Sequence, residues 1–438
     1  MKKFWLGLYF FNWAVIAFYW FQGALPLWSQ GLSGFLIAGG RLAGLVAAYM
    51  ILLQFFLVGR LPWLERVFGL DRLTRLHHKN GRNGILLLLF HPVFIVWGYM
   101  AATGAGLRTQ LASLAAEHDY VLWAMIGAGL FLAVVGTSIY VVRSRLRYEA
   151  WYGVHLIAYG AVFLSFWHQL AQGGTLLSSK IFYGYWVGLY AFVFASHFVF
   201  RVARPFYLFY RHRFVVERVV RESPDAVSVY IAGRELEKFP IKPGQFMILR
   251  FLSQDLRWQS HPFSLSKVPD GKTLRVTVKE LGDYTKQVKN VPLGTRVFID
   301  GPYGVFTDFL GLSSKVLLIA GGIGITPIRS LAEEMLKKGH DVVLLYGNKT
   351  EEDIVFRSEL EELQRKYPAR IVNILSNARG YEGETGHIDE EKIKRLVPDI
   401  VDRDIYLCGP VPMMDSLLGS FQKMGLAKER VHYERFAL

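Results

Sequence analysis

Apolar residues are concentrated in the first half of this chain, where they form long runs that few charges interrupt. Six segments reach the roughly 20 mostly apolar residues that a helix needs to cross a bilayer: approximately 4–22, 33–57, 83–103, 121–142, 150–171 and 182–203. The first run is long for a signal peptide, and no small-residue cleavage site follows it, so we expect a retained helix. Residues 1–205 therefore predict a six-helix transmembrane domain.

The second half has a different pattern, in which short apolar segments alternate with polar ones. Residues 214–220, 227–231 and 244–249 are strand-like and separated by turn residues, which predicts a small antiparallel barrel over residues 206–310. After Gly311, an apolar strand at 315–320 leads through a glycine-rich turn into a helix at 328–338, and further strands follow. This alternation predicts an α/β nucleotide-binding domain over residues 311–438.

Basic residues in the connecting loops predict the orientation. The chain has 50 Lys and Arg against 36 Asp and Glu, a net charge of +14, and the excess lies in loops 58–82, 143–147 and 201–213. The positive-inside rule then predicts a multi-pass protein of the cell inner (plasma) membrane with both termini in the cytoplasm. Topology and anionic lipid account for the charge, so we expect no nucleic-acid partner, and no partner subunit is evident. Cys408 is the only cysteine, which excludes disulfides and thiolate metal clusters.

Two pairs of histidines lie on, or shortly before, two of the predicted helices. His77 and His91 are 14 residues apart, and His155 and His168 are 13 apart. Ionisable side chains inside membrane spans are costly and usually functional, and imidazoles at two matching depths could hold two haems about 20 Å apart. At 100° per residue the first pair shares a helix face, but the second falls about 140° short of whole turns. We therefore expect a π-bulge or kink in the fifth helix.

Three nearby polar residues bear on this hypothesis. His78 is an alternative to His77, which we favour because it shares a face with His91. His118 lies in a polar outer loop, where we expect it to be solvated. Arg41 interrupts the apolar second helix, and a buried guanidinium needs an anion such as a haem propionate, unless it snorkels to the interface. The alternative for the four paired histidines is that they are hydrogen-bonded structural residues.

The second half contains two groups of residues suited to dinucleotide cofactors. For a flavin dinucleotide the barrel offers an aromatic surface, a hydroxyl, basic groups for pyrophosphate and a turn whose amides can approach phosphate: His261, Pro262, Phe263, Ser264, Val278, Lys279, Gly282 and Thr285. For a nicotinamide dinucleotide, a strand-to-helix turn and a later Cys-Gly-Pro turn place amides and a helix N-terminus against phosphate: Gly321, Gly322, Gly324, Ile325, Thr326, Pro327, Cys408, Gly409, Pro410 and Met413.

These motifs resemble the ferredoxin–NADP reductase family in the second half, and the whole chain resembles a bacterial member of the NADPH oxidase and ferric reductase superfamily. The matching segments are Leu76-His77, His91, Tyr148-Glu149-x-Trp151 with His155, His168, HPFS at 261–264, GDYT at 282–285, GPYG at 301–304, GGIGITP at 321–327, CGP at 408–410 and Glu434-Arg435-Phe436. The resemblance implies two b-type haems on the four histidines, FAD on the barrel, and NADPH or NADH as donor. It also implies that Cys408 lies near the nicotinamide and that Phe436 stacks on the flavin.

The sequence departs from the family in two places. Ile95 stands where animal oxidases often carry a further histidine, which weakens the case for superoxide production, and two residues follow Phe436, where related chains commonly end on the aromatic. Asn348-Lys349 and Arg379, with no acidic residue after the second strand, favour NADPH over NADH.

We therefore expect a transmembrane oxidoreductase that passes electrons from cytosolic NAD(P)H through FAD and two haems to an acceptor on the far side. Dioxygen, giving superoxide with electrostatic help from Arg41, is the favoured acceptor. The alternatives are a ferric reductase, a cytochrome that passes electrons to a protein partner, and a non-redox transporter in which the motifs are coincidental.

Overall fold

The computed structural model describes residues 2–146, 148–377 and 380–435. The chain forms two compact units, one of Met1–Leu61 with Arg72–Phe198, the other of Pro62–Asp71 with Val199–Leu438. The helices up to the barrel are α1 (Lys2–Trp28), α2 (Gly31–Val58), α3 (Pro62–Phe68), α4 (Leu70–Thr103), α5 (Leu107–Glu117), α6 (Val121–Ser138), α7 (Tyr140–Arg143), α8 (Tyr148–Gln172), α9 (Gly174–Leu177), α10 (Lys180–Phe198), a π-helical segment (Val199–Ala203) and α11 (Arg204–His212).

The first unit is helical, and its long helices confirm the number predicted. Within the described residues, six helical segments are long and apolar enough to cross a membrane: α1, α2, α4, α6, α8 and the segment Lys180–His212. The most buried of them is α2, which carries small residues at Ala38, Gly40, Ala43, Ala47 and Ala48. Small side chains allow neighbouring helix backbones to approach closely in a membrane, so α2 forms the centre of this unit.

The second unit begins with the antiparallel barrel that the alternating pattern predicts. Its strands are β1 (Val215–Ser223), β2 (Ala226–Ala232), β3 (Phe246–Phe251), β4 (His261–Ser264), β5 (Thr273–Lys279) and β6 (Val297–Tyr303), with α12 (Asp283–Gln287) after β5. They form two three-stranded sheets in the orders β1-β2-β5 and β4-β3-β6. Single bridges between Leu265 and Val276 and between Val215 and Arg296 connect the two sheets.

The rest of the second unit is the predicted α/β fold, with strands β7 (Lys315–Gly321), β8 (Asp341–Asn348), β9 (Ala369–Leu375), β10 (Glu384–Thr385), β11 (Asp404–Cys408) and β12 (Val431–Tyr433) and helices α13 (Ile325–Lys337), α14 (Arg357–Lys366), α15 (Glu390–Leu396) and α16 (Val411–Lys423). The parallel strand order is β10-β9-β8-β7-β11-β12. The chain therefore reverses direction across the sheet between β7 and β11, and ligands of open α/β sheets bind at such a switch point. α13 begins three residues before the predicted start, because Pro327 is tolerated in a first helical turn.

A buried ionic cluster joins the barrel to the α/β fold. Arg275 on β5 is 1% exposed, and its Nη2 donates to Glu359 Oε2 on α14 at 3.0 Å. Glu359 also pairs with Arg329 of α13 at 2.8 Å. Removing one partner of such a cluster would leave a buried charge uncompensated, so the cluster fixes the orientation of the two folds that carry the predicted cofactor motifs.

Candidate functional site

The four predicted haem ligands form two ring pairs between α4 and α8. The ring centroids of His77 and His155 are 6.1 Å apart, and those of His91 and His168 are 6.3 Å apart. Two imidazoles on opposite sides of one metal ion would have centroids about 6.2 Å apart, since each metal–nitrogen bond is about 2 Å and each nitrogen lies about 1.1 Å from its ring centre. The separations therefore fit bis-histidine haem ligation at both levels.

On α4, backbone carbonyls of α2 fix which ring nitrogen faces the partner histidine. Nδ1 of His91 is 2.8 Å from the carbonyl oxygen of Gly40, and Nδ1 of His77 is 3.3 Å from that of Gln54. A carbonyl can only accept, so in each neutral ring Nδ1 carries the proton and Nε2 keeps its lone pair. This is the arrangement that metal-binding histidines use, because the outer hydrogen bond orients the ring.

On α8, a serine hydroxyl determines which ring nitrogen of His155 carries the proton. Ser138 Oγ donates to the carbonyl oxygen of Val134 at 2.7 Å and accepts from Trp151 Nε1 at 3.2 Å. Its second lone pair is left to accept from His155 Nδ1, 3.4 Å away. Nε2 of His155 is therefore also the unprotonated nitrogen.

The pairs form without the π-bulge that we expected in the fifth helix. α8 is α-helical throughout Tyr148–Gln172, and a π-helical segment occurs instead at Val199–Ala203. Side-chain direction and helix packing must absorb the angular mismatch. His78 is exposed and His77 half-buried, and His77 is the one whose ring faces His155.

A mostly apolar cavity surrounds the outer pair. It is lined by His91 and His168, by Arg41 and by aliphatic side chains from α2, α4, α6 and α8. Gly44 is required by close packing, because a Cβ there would lie 2.6 Å from Nδ1 of His91. An apolar cavity with two facing imidazoles and one cation fits a haem with its carboxylates. The cavity wall also includes Ile95, the position where related oxidases often have histidine.

The predicted flavin residues lie on β4, at the end of β5 and at the start of α12. β4 carries His261, whose ring lies 4.1 Å from that of Tyr284 at the start of α12. The predicted phosphate turn is ordered, since Thr285 Oγ1 accepts from the backbone N–H of Gly282 at 2.9 Å. Lys279, predicted for pyrophosphate, forms an ion pair with Asp225 at 3.0 Å, so it would contact an anion only by rearranging.

Of the remaining predicted flavin residues, Ser264 and Val278 are buried, and Pro262 and Phe263 are half-buried. Pro262 and Phe263 lie opposite Ile248 and Met247 in the β3–β4 pair. An aromatic ring at half-exposed depth on this strand fits a flavin ring.

The two predicted nicotinamide loops meet at the switch point of the sheet. Ala320 at the end of β7 lies opposite Cys408 at the end of β11. A Cβ on Gly324 would lie 2.4 Å from the carbonyl oxygen of Cys408, and one on Gly321 would lie 2.7 Å from Sδ of Met413. Glycine permits this close approach, so two loops lie in contact at this point: one of Gly321, Gly322, Gly324, Ile325, Thr326 and Pro327, and one of Cys408, Gly409 and Pro410.

Cys408 and Glu434 form a buried acidic corner beside these loops. Burial and the charge of Glu434 raise the pKa of the Cys408 thiol, so the sulfur stays protonated and is not a nucleophile. Burial, followed by the charges of Asp71 and Glu65, holds the pKa of Glu434 well above its ordinary value. Glu65 of α3 also accepts from the backbone N–H of Gly304 at 2.7 Å. Phe436 and Arg379 lie outside the described residues.

Several residues that shape the site were not identified from the sequence. The carbonyls of Gly40 and Gln54 carry no side-chain signal, and Ser138 had no motif. Gly44 could have been suspected from its place in a run of small residues on α2. Glu434 stood in the terminal motif, but its burial could not be read from it.

Comparisons with known families match successive parts of the chain. The family described as "Ferric reductase like transmembrane component" matches residues 43–166, "FAD-binding domain" matches residues 213–307, and "Oxidoreductase NAD-binding domain" matches residues 318–418. The first match contains His77, His91 and His155 and ends two residues before His168. The second contains the HPFS and GDYT motifs, and the third both nicotinamide loops.

Individual relatives are similar over about half of the chain. It is 31% identical over 228 residues to the ferredoxin reductase component of 3-ketosteroid-9-alpha-monooxygenase from Rhodococcus rhodochrous, covering 50% of this chain and 64% of the relative. It is 30% identical over 251 residues to Flavohemoprotein B from Dictyostelium discoideum, covering 51% of this chain and 58% of the relative. The chain thus spans less than two thirds of these relatives. Among solved structures, flavohemoglobin from Malassezia yamatoensis with bound FAD and heme is 17% identical, with a TM-score of 0.48, and the match covers 90% of this chain and 99% of that one.

Proposed function

The chain has the domain architecture of the NADPH oxidase and ferric reductase superfamily, and we propose that it carries electrons from NAD(P)H through FAD and two b-type haems to an acceptor across a membrane. The ferric reductase-like transmembrane part makes it a multi-pass membrane protein, and the FAD and NAD domains make it an oxidoreductase. The haems, the acceptor and the membrane's identity belong to the proposal. The charge of the loops supports an inner (plasma) membrane with both termini in the cytoplasm.

The observation that carries the proposal is the pair of imidazole pairs between α4 and α8. Their ring separations of 6.1 and 6.3 Å suit a metal at each level. His77 and His91 are 14 residues apart, about 21 Å along a helix, so two haems would span much of a hydrocarbon core about 30 Å thick. Two histidine ligands on each iron would leave no open iron site, so the acceptor would react at a haem edge.

The chain's own residues have distinct tasks in this scheme. FAD, when bound, supplies the conversion of hydride transfer into single-electron transfer. The glycine loops at β7 and β11 would hold the nucleotide phosphates at a helix N-terminus. The buried, protonated Cys408 would add no charge beside the nicotinamide. His77, His91 and His155 would hold the haems through Nε2, and His168 would be the fourth ligand.

Purified full-length protein reconstituted with haem and FAD provides the test. We expect two low-spin b-type haems per chain, reduced by NADPH or NADH without oxygen. His155→Ala should lose the inner haem and block nucleotide-driven reduction of the outer haem. The same variant should retain nucleotide oxidation with an artificial flavin acceptor. Wild-type protein without haem, or with haem that the nucleotide never reduces, would contradict the proposal.

The acceptor is tested separately on the same protein. Admitting oxygen should give superoxide in a dismutase-sensitive assay, and Fe(III) chelates should compete if they reach the same edge. Reduction of Fe(III) without superoxide would make the protein a ferric reductase. Reoxidation by neither acceptor would favour a protein partner.

A further inference from the structure

α2 and α4 pack against each other along a seam of glycines. A Cβ on Gly40 would lie 2.8 Å from the side chain of Ile95, and one on Gly98 would lie 2.7 Å from that of Ile37. Each contact places an isoleucine of one helix over a glycine of the other, which is the close packing that membrane helices use. The half of the seam around His91 is therefore held by apolar contacts.

The half of the seam around His77 is held by two amide side chains. A Cβ on Gly81 would lie 2.3 Å from Nε2 of Gln54, so Gln54 lies over a glycine as the isoleucines do elsewhere. Gln54 Oε1 accepts from Asn80 Nδ2 at 3.1 Å, and the same Nδ2 donates to the carbonyl oxygen of Met50 at 2.8 Å. Asn80 thus bonds α4 to a side chain and to the backbone of α2.

This amide pair lies directly beside the first predicted haem ligand. Asn80 follows His77 by three residues on α4, so the two share a helix face. The carbonyl oxygen of Gln54 is the group that faces Nδ1 of His77, at 3.3 Å. Gln54 therefore contacts α4 twice, through its side chain at Asn80 and through its carbonyl at His77.

The side-chain bond is specific for one axial register of the two helices, whereas the carbonyl bonds are not. Backbone carbonyls recur every turn, about 5.4 Å, so after a slip of one turn His77 would face another carbonyl of α2. An amide side chain opposite Asn80 exists at one register only, because Gln54 is the only Asn or Gln in α2. A single buried asparagine fixes the register of coiled coils in the same way.

We propose that Asn80 and Gln54 are positioning residues, which hold α2 and α4 in the register at which His77 can be a haem ligand. This role rests on the proposed function, which gives His77 a haem to hold. Asn80 acts through Gln54, whose carbonyl orients the His77 ring and raises the basicity of its Nε2. The isoleucine–glycine contacts around His91 do not depend on the amide pair, so its loss should affect the level of His77 alone.

Two variants and a control separate positioning from stability. Asn80→Leu removes both hydrogen bonds and keeps a similar volume. Asn80→Leu combined with Gln54→Leu replaces the amide pair by two apolar side chains, which restores packing without hydrogen bonds. Asn83→Leu is the matched control, since Asn83 lies about one turn further along α4 and is exposed.

Each variant is made in full-length protein reconstituted with haem and FAD. The measurements are the melting temperature of the haem-free protein, the affinity for each haem, and the two midpoint potentials. The His155→Ala variant, which should lack the inner haem, identifies the potential that belongs to the level of His77.

We expect Asn80→Leu to weaken inner-haem binding about tenfold, the lower end of the 10- to 100-fold loss that follows when the hydrogen bond supporting a metal ligand is disturbed. The inner midpoint potential should rise, because a less basic imidazole stabilises Fe(III) less. The outer haem, and both haems of Asn83→Leu, should keep their wild-type values. The double variant should regain the melting temperature but keep the raised potential.

Wild-type inner-haem affinity and potential in Asn80→Leu would overturn the proposal, as would equal losses at both haems. Recovery of the wild-type potential in the double variant would also overturn it, since packing alone would then position His77. Failure of the proposed function would be visible separately, as wild-type protein that binds no haem.

Discussion

Gly44 offers a direct test of how α2 holds the outer histidine pair. A Cβ at this position would lie 2.6 Å from Nδ1 and 2.9 Å from Cε1 of His91. Ordinary contact between such atoms is about 3.5 Å, so Gly44→Ala requires the ring to retreat by about 0.9 Å. The ring cannot retreat without lengthening its 2.8 Å hydrogen bond to the carbonyl of Gly40.

The displacement is large on the scale that metal ligation tolerates. Ligand distances in protein sites lie within about 0.2 Å of their preferred values, so His91 would no longer be placed to hold an outer haem. We expect Gly44→Ala to retain the inner haem and lose the outer one, and the haem absorbance per chain to fall to roughly half. Nucleotide oxidation with an artificial flavin acceptor should be unchanged, since the cofactor loops lie elsewhere.

Gly39→Ala on the same helix is the matched control. Its Cβ would meet Phe94 at 3.6 Å, an ordinary contact, and both substitutions give the same gain in helix propensity of about 1 kcal/mol. The assay is the pyridine haemochrome content of both variants, together with a potentiometric titration that resolves two components in wild type. Two haems with an unchanged outer potential in Gly44→Ala would refute the placement of His91 against α2.

Three further substitutions test other contacts. Ser138→Ala removes the acceptor of His155 Nδ1–H and should weaken retention of the inner haem about 10- to 100-fold. Ser138→Thr keeps the hydroxyl and should not weaken it. Equal haem affinity of the two variants in a haem titration would contradict the role of Ser138. Gly324→Ala, whose Cβ would lie 2.4 Å from a backbone oxygen, should weaken nucleotide binding measured by calorimetry, while Gly419→Ala, which meets nothing, should not. The pKa of Glu434 is raised in the folded state, so the folded state binds more protons than the unfolded state, and stability falls as the pH rises from the ordinary carboxyl pKa to the raised one. Glu434→Gln should flatten this fall in melting temperature. An unchanged pH profile would show that the carboxyl is not buried as described.

Much of the fold was predictable because its patterns are local. The six apolar runs, the alternating strands and the glycine turn after β7 each lie within 30 consecutive residues, and each became the predicted element. At α13 the local pattern predicted the helix and placed Pro327 in its first turn, but the predicted helix start was three residues too late. Cofactor motifs of this kind can be recognised from sequence, because the residues that form the turn are also the residues that would contact the cofactor.

The parts that could not be predicted depend on elements far apart in the chain. His118 looked solvated because its sequence neighbours are polar, but it is half-buried at the point where the backbone leaves α5 in an extended conformation. The spacing of His155 and His168 indicated a deformed helix, because angles on an ideal helix ignore where each side chain reaches. Ser138 could not be assigned from sequence, since its task depends on a hydrogen bond to a residue 17 positions away.

The backbone of α2 positions both histidines of α4. His77 faces the carbonyl of Gln54, and His91 faces that of Gly40. The residue numbers sum to 131 in both cases, 77 with 54 and 91 with 40, as expected for two antiparallel helices that keep one register over 14 residues. The depth of both ligand pairs is therefore fixed by the backbone of α2 as well as by the helices that carry the histidines. An insertion of one residue in α2 between positions 40 and 54 would shift that register by about 1.5 Å and 100°, so it should disrupt one ligand pair while leaving the other in place.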